Sequence, residues 1–177
     1  YATLQDLEET LKITIAEGVA NNVDIKFNLT VWSGPDQDYM SGSTELIINI
    51  KNAILLSGVI SQDLTLYPDK EYLIPDNLAL VGNTIMTIKP GTTLKFSNNT
   101  KINLRDNSIL NALGKKDSII NFIAEDNYWN GFSVNNNAML KIDYSQIKNV
   151  ESYYIFSGQG YNHNSLVTNS LIFDNYP

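Results

Sequence analysis

Residues able to do covalent or acid–base chemistry are thinly spread along this chain. Its 177 residues include one arginine (Arg105), one histidine (His163) and no cysteine. The lack of cysteine removes a thiolate nucleophile, thiolate metal ligands and disulfides together. His163, in "GYNHNS", has no Ser–Asp arrangement that would make a triad, and reads as a loop residue between coils. Carboxylates are more numerous. Glycoside hydrolysis needs a pair of them about 5 to 9 Å apart, and Asp126, Asp143 and Asp174 are the candidates. Lyase chemistry on acidic polysaccharides needs a cation and a Lys or Arg base. Arg105 sits in the turn "LRDN" without stacked acidic partners. These acids read better as turn residues on a solvated face.

Two further groups invite a binding role. The loop "GPDQDYMSGSTE" carries Asp36, Asp38 and Glu45, candidates for calcium. An EF-hand loop wants an oxygen ligand at its fifth position and glycine at its sixth, where Met40 and Ser41 stand. No cofactor is implied. The aromatics "DNYWNG" and "ESYYIFSGQGYN" supply Tyr128, Trp129, Tyr153 and Tyr161. Exposed rings flanked by Asn and Gln stack on sugars while the amides bond hydroxyls. The competing reading puts Trp129 and Phe156 inside the fold.

The elements that must position these groups follow from periodicity. In "NLALVGNTIMTIKPGTTLKFSNNTKINLRDNSILNA" (77–112), apolar residues return every eight positions. Leu78, Met86, Leu94, Ile102 and Leu110 form one series; Leu80, Ile88, Phe96, Leu104 and Ala112 form another, two residues on. A spacing of two is strand periodicity with one buried face. Between the pairs lie Gly82-Asn83, Pro90-Gly91, Asn98-Asn99 and Asp106-Asn107, all tolerant of tight turns and positive φ. A meander has no need of a constant step, whereas a solenoid stacks like on like, with three octets to a coil of roughly 24 residues. The pattern continues past "GKKDS" (114–118) through Ile120, Phe122, Trp129, Phe132, Val134, Leu140 and Ile142. "DYSQIKNV" aligns with "TNSLIFDN" 25 residues on, matching Ser145 to Ser170 and Ile147 to Ile172. Stacked Asn in such turns can form amide ladders along the axis.

These residues carry a family resemblance. "TIKPGT" with Phe96, and Phe122, Trp129, Gly131 and Val134 of "INFIAEDNYWNGFSV", resemble the right-handed parallel β-helix repeats of bacterial surface and secreted proteins, over about 57–177. The resemblance implies an all-β, single-stranded, right-handed parallel β-helix of four to five coils. It says little about activity, because such helices serve lyases, hydrolases, adhesins and passive stalks.

Before Ala53 the period differs. "TLKITIA", "DIKFNLTVW" and "TELIINI" alternate over seven to nine residues, predicting longer antiparallel strands. They resemble the closing strands of an immunoglobulin-like module, although three strands cannot close a sandwich of about seven. The expected domains are therefore 1–53, an antiparallel sandwich-like piece or cap, and 54–177, the coil.

Composition narrows the function. Hydrophobic content is 43% and charge 18%, with a net charge of −7. A globular chain with so few cations is not expected to bind nucleic acid. No apolar run is long enough to span a membrane as a helix, so membrane insertion is not expected. Tyr1 suggests a mature product or a piece of a longer chain. The preferred expectation is a non-catalytic structural, adhesive or glycan-contacting segment of a larger exported bacterial cell-surface protein. Polysaccharide or a host or cell-surface glycan is its expected partner, with end-to-end self-association through an uncapped coil. The alternative is a fragment of a β-helical polysaccharide lyase or glycoside hydrolase. Ice binding is disfavoured, since Thr87 and Thr92-Thr93 have no Thr-x-Thr counterparts in later octets.

Overall fold

The computed structural model describes residues 14, 23–33, 39–50, 52–151, 155–159 and 165–175. The chain divides into two units, Tyr1–Asn52 and Ala53–Pro177. Within the first, β1 (Val23–Ser33) and β2 (Tyr39–Ile50) form an antiparallel pair with a register shift between Val31 and Trp32. One face of this pair carries Val23, Ile25, Phe27 and Leu29 beside Ile48 and Leu46; the other is mostly polar. The second strand starts at Tyr39, five residues before the expected Thr44, so the connection is shorter than the sequence implied. Of the expected strand at Thr10–Ala16 only Thr14 is among the described residues, exposed and assigned to no strand.

The second unit is built from triplets of short strands. The first triplet is β3 (Ile54–Leu55), β4 (Gly58–Ile60) and β5 (Leu64–Leu66). The second is β6 (Glu71–Ile74), β7 (Leu78–Leu80) and β8 (Ile85–Ile88). The third is β9 (Thr93–Phe96), β10 (Ile102–Leu104) and β11 (Ile109–Leu113). The fourth is β12 (Ile120–Ala124), β13 (Phe132–Val134) and β14 (Met139–Asp143). The fifth is β15 (Ser145–Lys148), β16 (Phe156–Ser157) and β17 (Leu166–Thr168), and β18 (Leu171–Phe173) begins a sixth.

Like members of successive triplets pair in parallel. They form three sheets: β3-β6-β9-β12-β15-β18, β4-β7-β10-β13-β16 and β5-β8-β11-β14-β17. The described residues contain no helix. Three stacked parallel sheets of five and six strands are consistent with a parallel β-helix. Leu78 pairs with Ile102, 24 residues on, but Ile102 pairs with Phe132, 30 on, because "GKKDS" and a longer corner before Trp129 lengthen that turn of the chain. Ile147 pairs with Ile172 at the offset read from the sequence echo.

All ten residues of the two octet series are buried, and Ile120, Phe122, Phe132, Val134, Leu140 and Ile142 continue the same interior. Burying each such side chain contributes roughly 1.5–3 kcal/mol. A third octet position escaped the sequence reading. Thr84, Thr92, Thr100 and Ser108 are also eight apart and buried. Each threonine Oγ1 donates to the carbonyl three residues back, Val81, Lys89 and Ser97 in turn, at 2.7 Å. Ser108 Oγ instead accepts from the Arg105 N–H and donates to the Leu80 carbonyl one coil away. A small hydroxyl therefore packs inside each of these corners with its own donor satisfied by a corner carbonyl; those of Lys89, Ser97 and Leu80 accept a backbone N–H as well.

Candidate functional site

The corners supply most of the polar chemistry, and their backbone explains their composition. Asn99, Asp106, Asn107, Asn136 and Asn137 all have positive φ, a conformation that Asn and Asp tolerate better than other side-chain-bearing residues. At one corner the side chains form rungs between coils. Asn136 Nδ2 donates to Asp106 Oδ1 at 3.0 Å, and Asn137 Nδ2 to Asn107 Oδ1 at 2.9 Å. The second is an amide rung of the kind expected from the Asn content; the first ends on a carboxylate.

The four aromatic candidates fare differently. Trp129 is fully buried, its indole stacked on Phe96 with centroids 3.8 Å apart and edge-on to Phe132 at 5.2 Å. Its Nε1–H donates to the Lys148 carbonyl at 3.0 Å. With its faces covered, the ring cannot stack on a sugar; the inward step of the repeat places it in the core, the competing reading of the sequence. Tyr128, its neighbour, is half-buried at the corner, where its carbonyl accepts the Asn99 N–H. Tyr153 and Tyr161 lie outside the described residues, as does His163.

The acids are dispersed. Asp143, in the third sheet, accepts from Thr168 Oγ1 and Asn169 Nδ2, both at 2.8 Å, and from the Tyr144 N–H. The Asn169 and Thr168 bonds, with a lesser one from the Tyr144 backbone, hold its carboxyl below the ordinary value of 3.8. Asp126 and Asp174 follow β12 and β18 of the first sheet, two strands apart. Asp174 is paired with Lys148 at 3.3 Å. The three carboxylates do not share a site. Asp63 accepts the Ile85 N–H at 2.7 Å, and Glu71 pairs with Lys95 on the neighbouring coil. Arg105 lies 3.9 Å from Asp106, its sequence neighbour.

Of the calcium candidates, Asp36 and Asp38 lie outside the described residues. Glu45 belongs to β2 rather than to a loop, stands opposite Asn28 and pairs with Lys26 at 3.2 Å. Among the described residues no group of three acids and histidines is placed to hold a metal ion. An apolar cavity lined by Val134, Leu140, Phe156 and Val167 measures about 200 Å³, below the range of roughly 300–1,000 Å³ usual for ligand pockets. Comparison with protein-family models, curated proteins and solved structures finds no match to this chain.

Proposed function

We propose that the chain is a non-catalytic display or spacer segment of an exported bacterial cell-surface protein, built as a right-handed parallel β-helix. The observation that supports this reading is how its polar groups are used. Asp143, Asp106, Asp63, Asp174 and Glu71 each engage a partner from their own or the adjacent coil, stiffening the stack instead of converging on a substrate. A rod whose coils bond one another along three sheets resists bending and suits holding other domains away from a surface. The resemblance of "TIKPGT" and "FIAEDNYWNGF" to surface-protein coils points the same way. End-to-end association of copies belongs to this reading.

The test uses intact cells of the producing bacterium. Antibodies raised against residues 54–177 should label unpermeabilised cells, and deleting two whole coils in frame should leave the protein on the surface while shortening its reach. Labelling only after permeabilisation, or release of sugar products from polysaccharides by the pure chain, would overturn the proposal.

A further inference from the structure

Charge is unevenly placed along the chain. Residues 77–124 carry six lysines and arginines against two acids, whereas all other residues carry six against seventeen. Within this basic stretch the insertion "GKKDS" makes a tight turn. Lys115 and Ser118 exchange both backbone hydrogen bonds, at 3.1 and 3.0 Å. The turn is fastened on two sides. Gly114 N–H donates to the Asp143 carbonyl on one coil, and the Ser118 carbonyl accepts the Gly91 N–H on another. It therefore stands rigidly over the corner between the third and first sheets.

That fastening gathers four lysines. Lys115 and Lys116 are at the exposed tip. Lys89, just after β8, is two residues from Gly91, and Lys141, in β14, two from Asp143; β8 and β14 are two strands apart within the third sheet. Strand spacing and rise place the Lys89 and Lys141 backbones about 12 Å from each other, with the turn beside them. Among the described residues none of the four makes an ion pair, while Lys70, Lys95, Arg105 and Lys148 each do. Acids stand near as well, and Asp69, at this corner on the coil preceding Gly91, is paired with Lys70. Asp117 is at the tip, and Asp143 is engaged by Thr168 and Asn169. The corner keeps a net positive charge. Lys141 continues an outward column of Thr65, Thr87 and Asn111 in register, hydroxyl and amide groups spaced about 4.8 Å apart.

We infer that this corner binds an acidic polysaccharide, the lysines meeting its carboxylates and the Thr–Asn column its hydroxyls. The inference rests on the surface-display reading and moves glycan contact from the aromatics to the lysine turn. A nucleic acid fits less well, because the one arginine is beside Asp106, at the corner between the second and third sheets. The remaining chain is acidic, so long-range steering opposes a polyanion. At physiological salt the screening length is about 8 Å, and the local corner decides.

The test measures binding of the full chain to polygalacturonate, with fully methyl-esterified polygalacturonate as the neutral control. Binding to the acidic polymer alone, weakening with added salt, is expected. Lys115→Glu/Lys116→Glu and Lys89→Glu/Lys141→Glu should each weaken it about tenfold or more, with unchanged circular dichroism. Lys101→Glu/Arg105→Glu, the same charge change at the other two corners, should weaken it less than threefold. Equal loss in that control, equal binding to the ester, or no binding would overturn the inference. So would tighter, lysine-turn-dependent binding to phosphatidylserine vesicles or duplex DNA. Cell-surface labelling is independent of all these outcomes, so the display reading stands or falls separately.

Discussion

Replacing Trp129 by alanine tests the stacked interior most directly. The indole is fully buried, lies against Phe96 at 3.8 Å and touches Phe122 and Phe132 with centroids 6.5 and 5.2 Å away. Truncating a buried tryptophan costs about 3–5 kcal/mol. The Lys148 carbonyl also loses its indole donor, a further cost of about 1 kcal/mol where water cannot reach it. A total of about 4–6 kcal/mol, with a urea slope of about 2 kcal/mol per molar, lowers the unfolding midpoint by roughly 2–3 M. Trp129→Phe keeps most of the ring stacking and should lose only about 1–2 kcal/mol. The assay is urea unfolding followed by circular dichroism. A parallel readout is fluorescence in a Trp32→Phe background, where Trp129 is the sole indole and should emit at short wavelength and resist iodide quenching. A loss below about 1 kcal/mol in Trp129→Ala, or ready quenching of the native indole, would refute the placement of the ring between Phe96 and Phe132.

Three further outcomes follow from the geometry. Gly131 has φ +69° and an added Cβ would lie 2.4 Å from the Ile155 carbonyl, while Gly82, at φ +67°, faces open space. Gly131→Ala should therefore cost well over 2 kcal/mol and Gly82→Ala only about 1 kcal/mol, by thermal or urea unfolding. Thr100→Ala removes a buried hydroxyl bond to Ser97 and should cost about 1 kcal/mol, with Thr100→Val losing a similar amount despite its matching shape. Asp143 has its folded pKa below 3.8 because of Asn169 and Thr168. Its contribution is present above the unfolded value and lost as pH falls through the lower folded one, so the stability gap between the native chain and Asp143→Ala should hold above pH 3.8 and narrow on acidification below it.

The interior was legible because its signal is periodic. Leu78 to Ala112 repeats without interruption, and every one of those ten inward assignments matches a buried side chain. The hydroxyl at Thr84, Thr92, Thr100 and Ser108 carried the same period but was overlooked, since small polar residues beside Gly and Asn blend into turn composition. The register across "GKKDS" could not be read by counting, because an insertion at a corner lengthens one coil without disturbing the strands on either side. Strand β2 runs into the loop-like "YMSGS", where pairing with β1 outweighs the weak strand propensity of Ser and Gly. The candidate binding residues were least legible of all. Trp129 and Tyr128 are adjacent in sequence and similar in chemistry, yet one faces the axis and the other the corner, a difference set by the local step of the backbone alone.

A solenoid of this kind has little room for function. Its inward positions are filled by the stack, and its main corner spends its side chains on ladders, Asp106 to Asn136 and Asn107 to Asn137. A ligand must then meet outward columns, or a place where the repeat is broken. The break at 114–118 is held on both sides by backbone bonds, so its position is set by the rod, while Lys115 and Lys116 are spent on neither core nor ladder. Removing it need not disturb the layers, because the preceding coil turns the equivalent corner through Pro90-Gly91 with no insertion. A chain shortened by deletion of Lys115–Asp117 should keep its unfolding midpoint and lose its affinity for polygalacturonate. If the fold collapses with that turn, the separation of stacking from binding fails, and the lysines belong to the architecture.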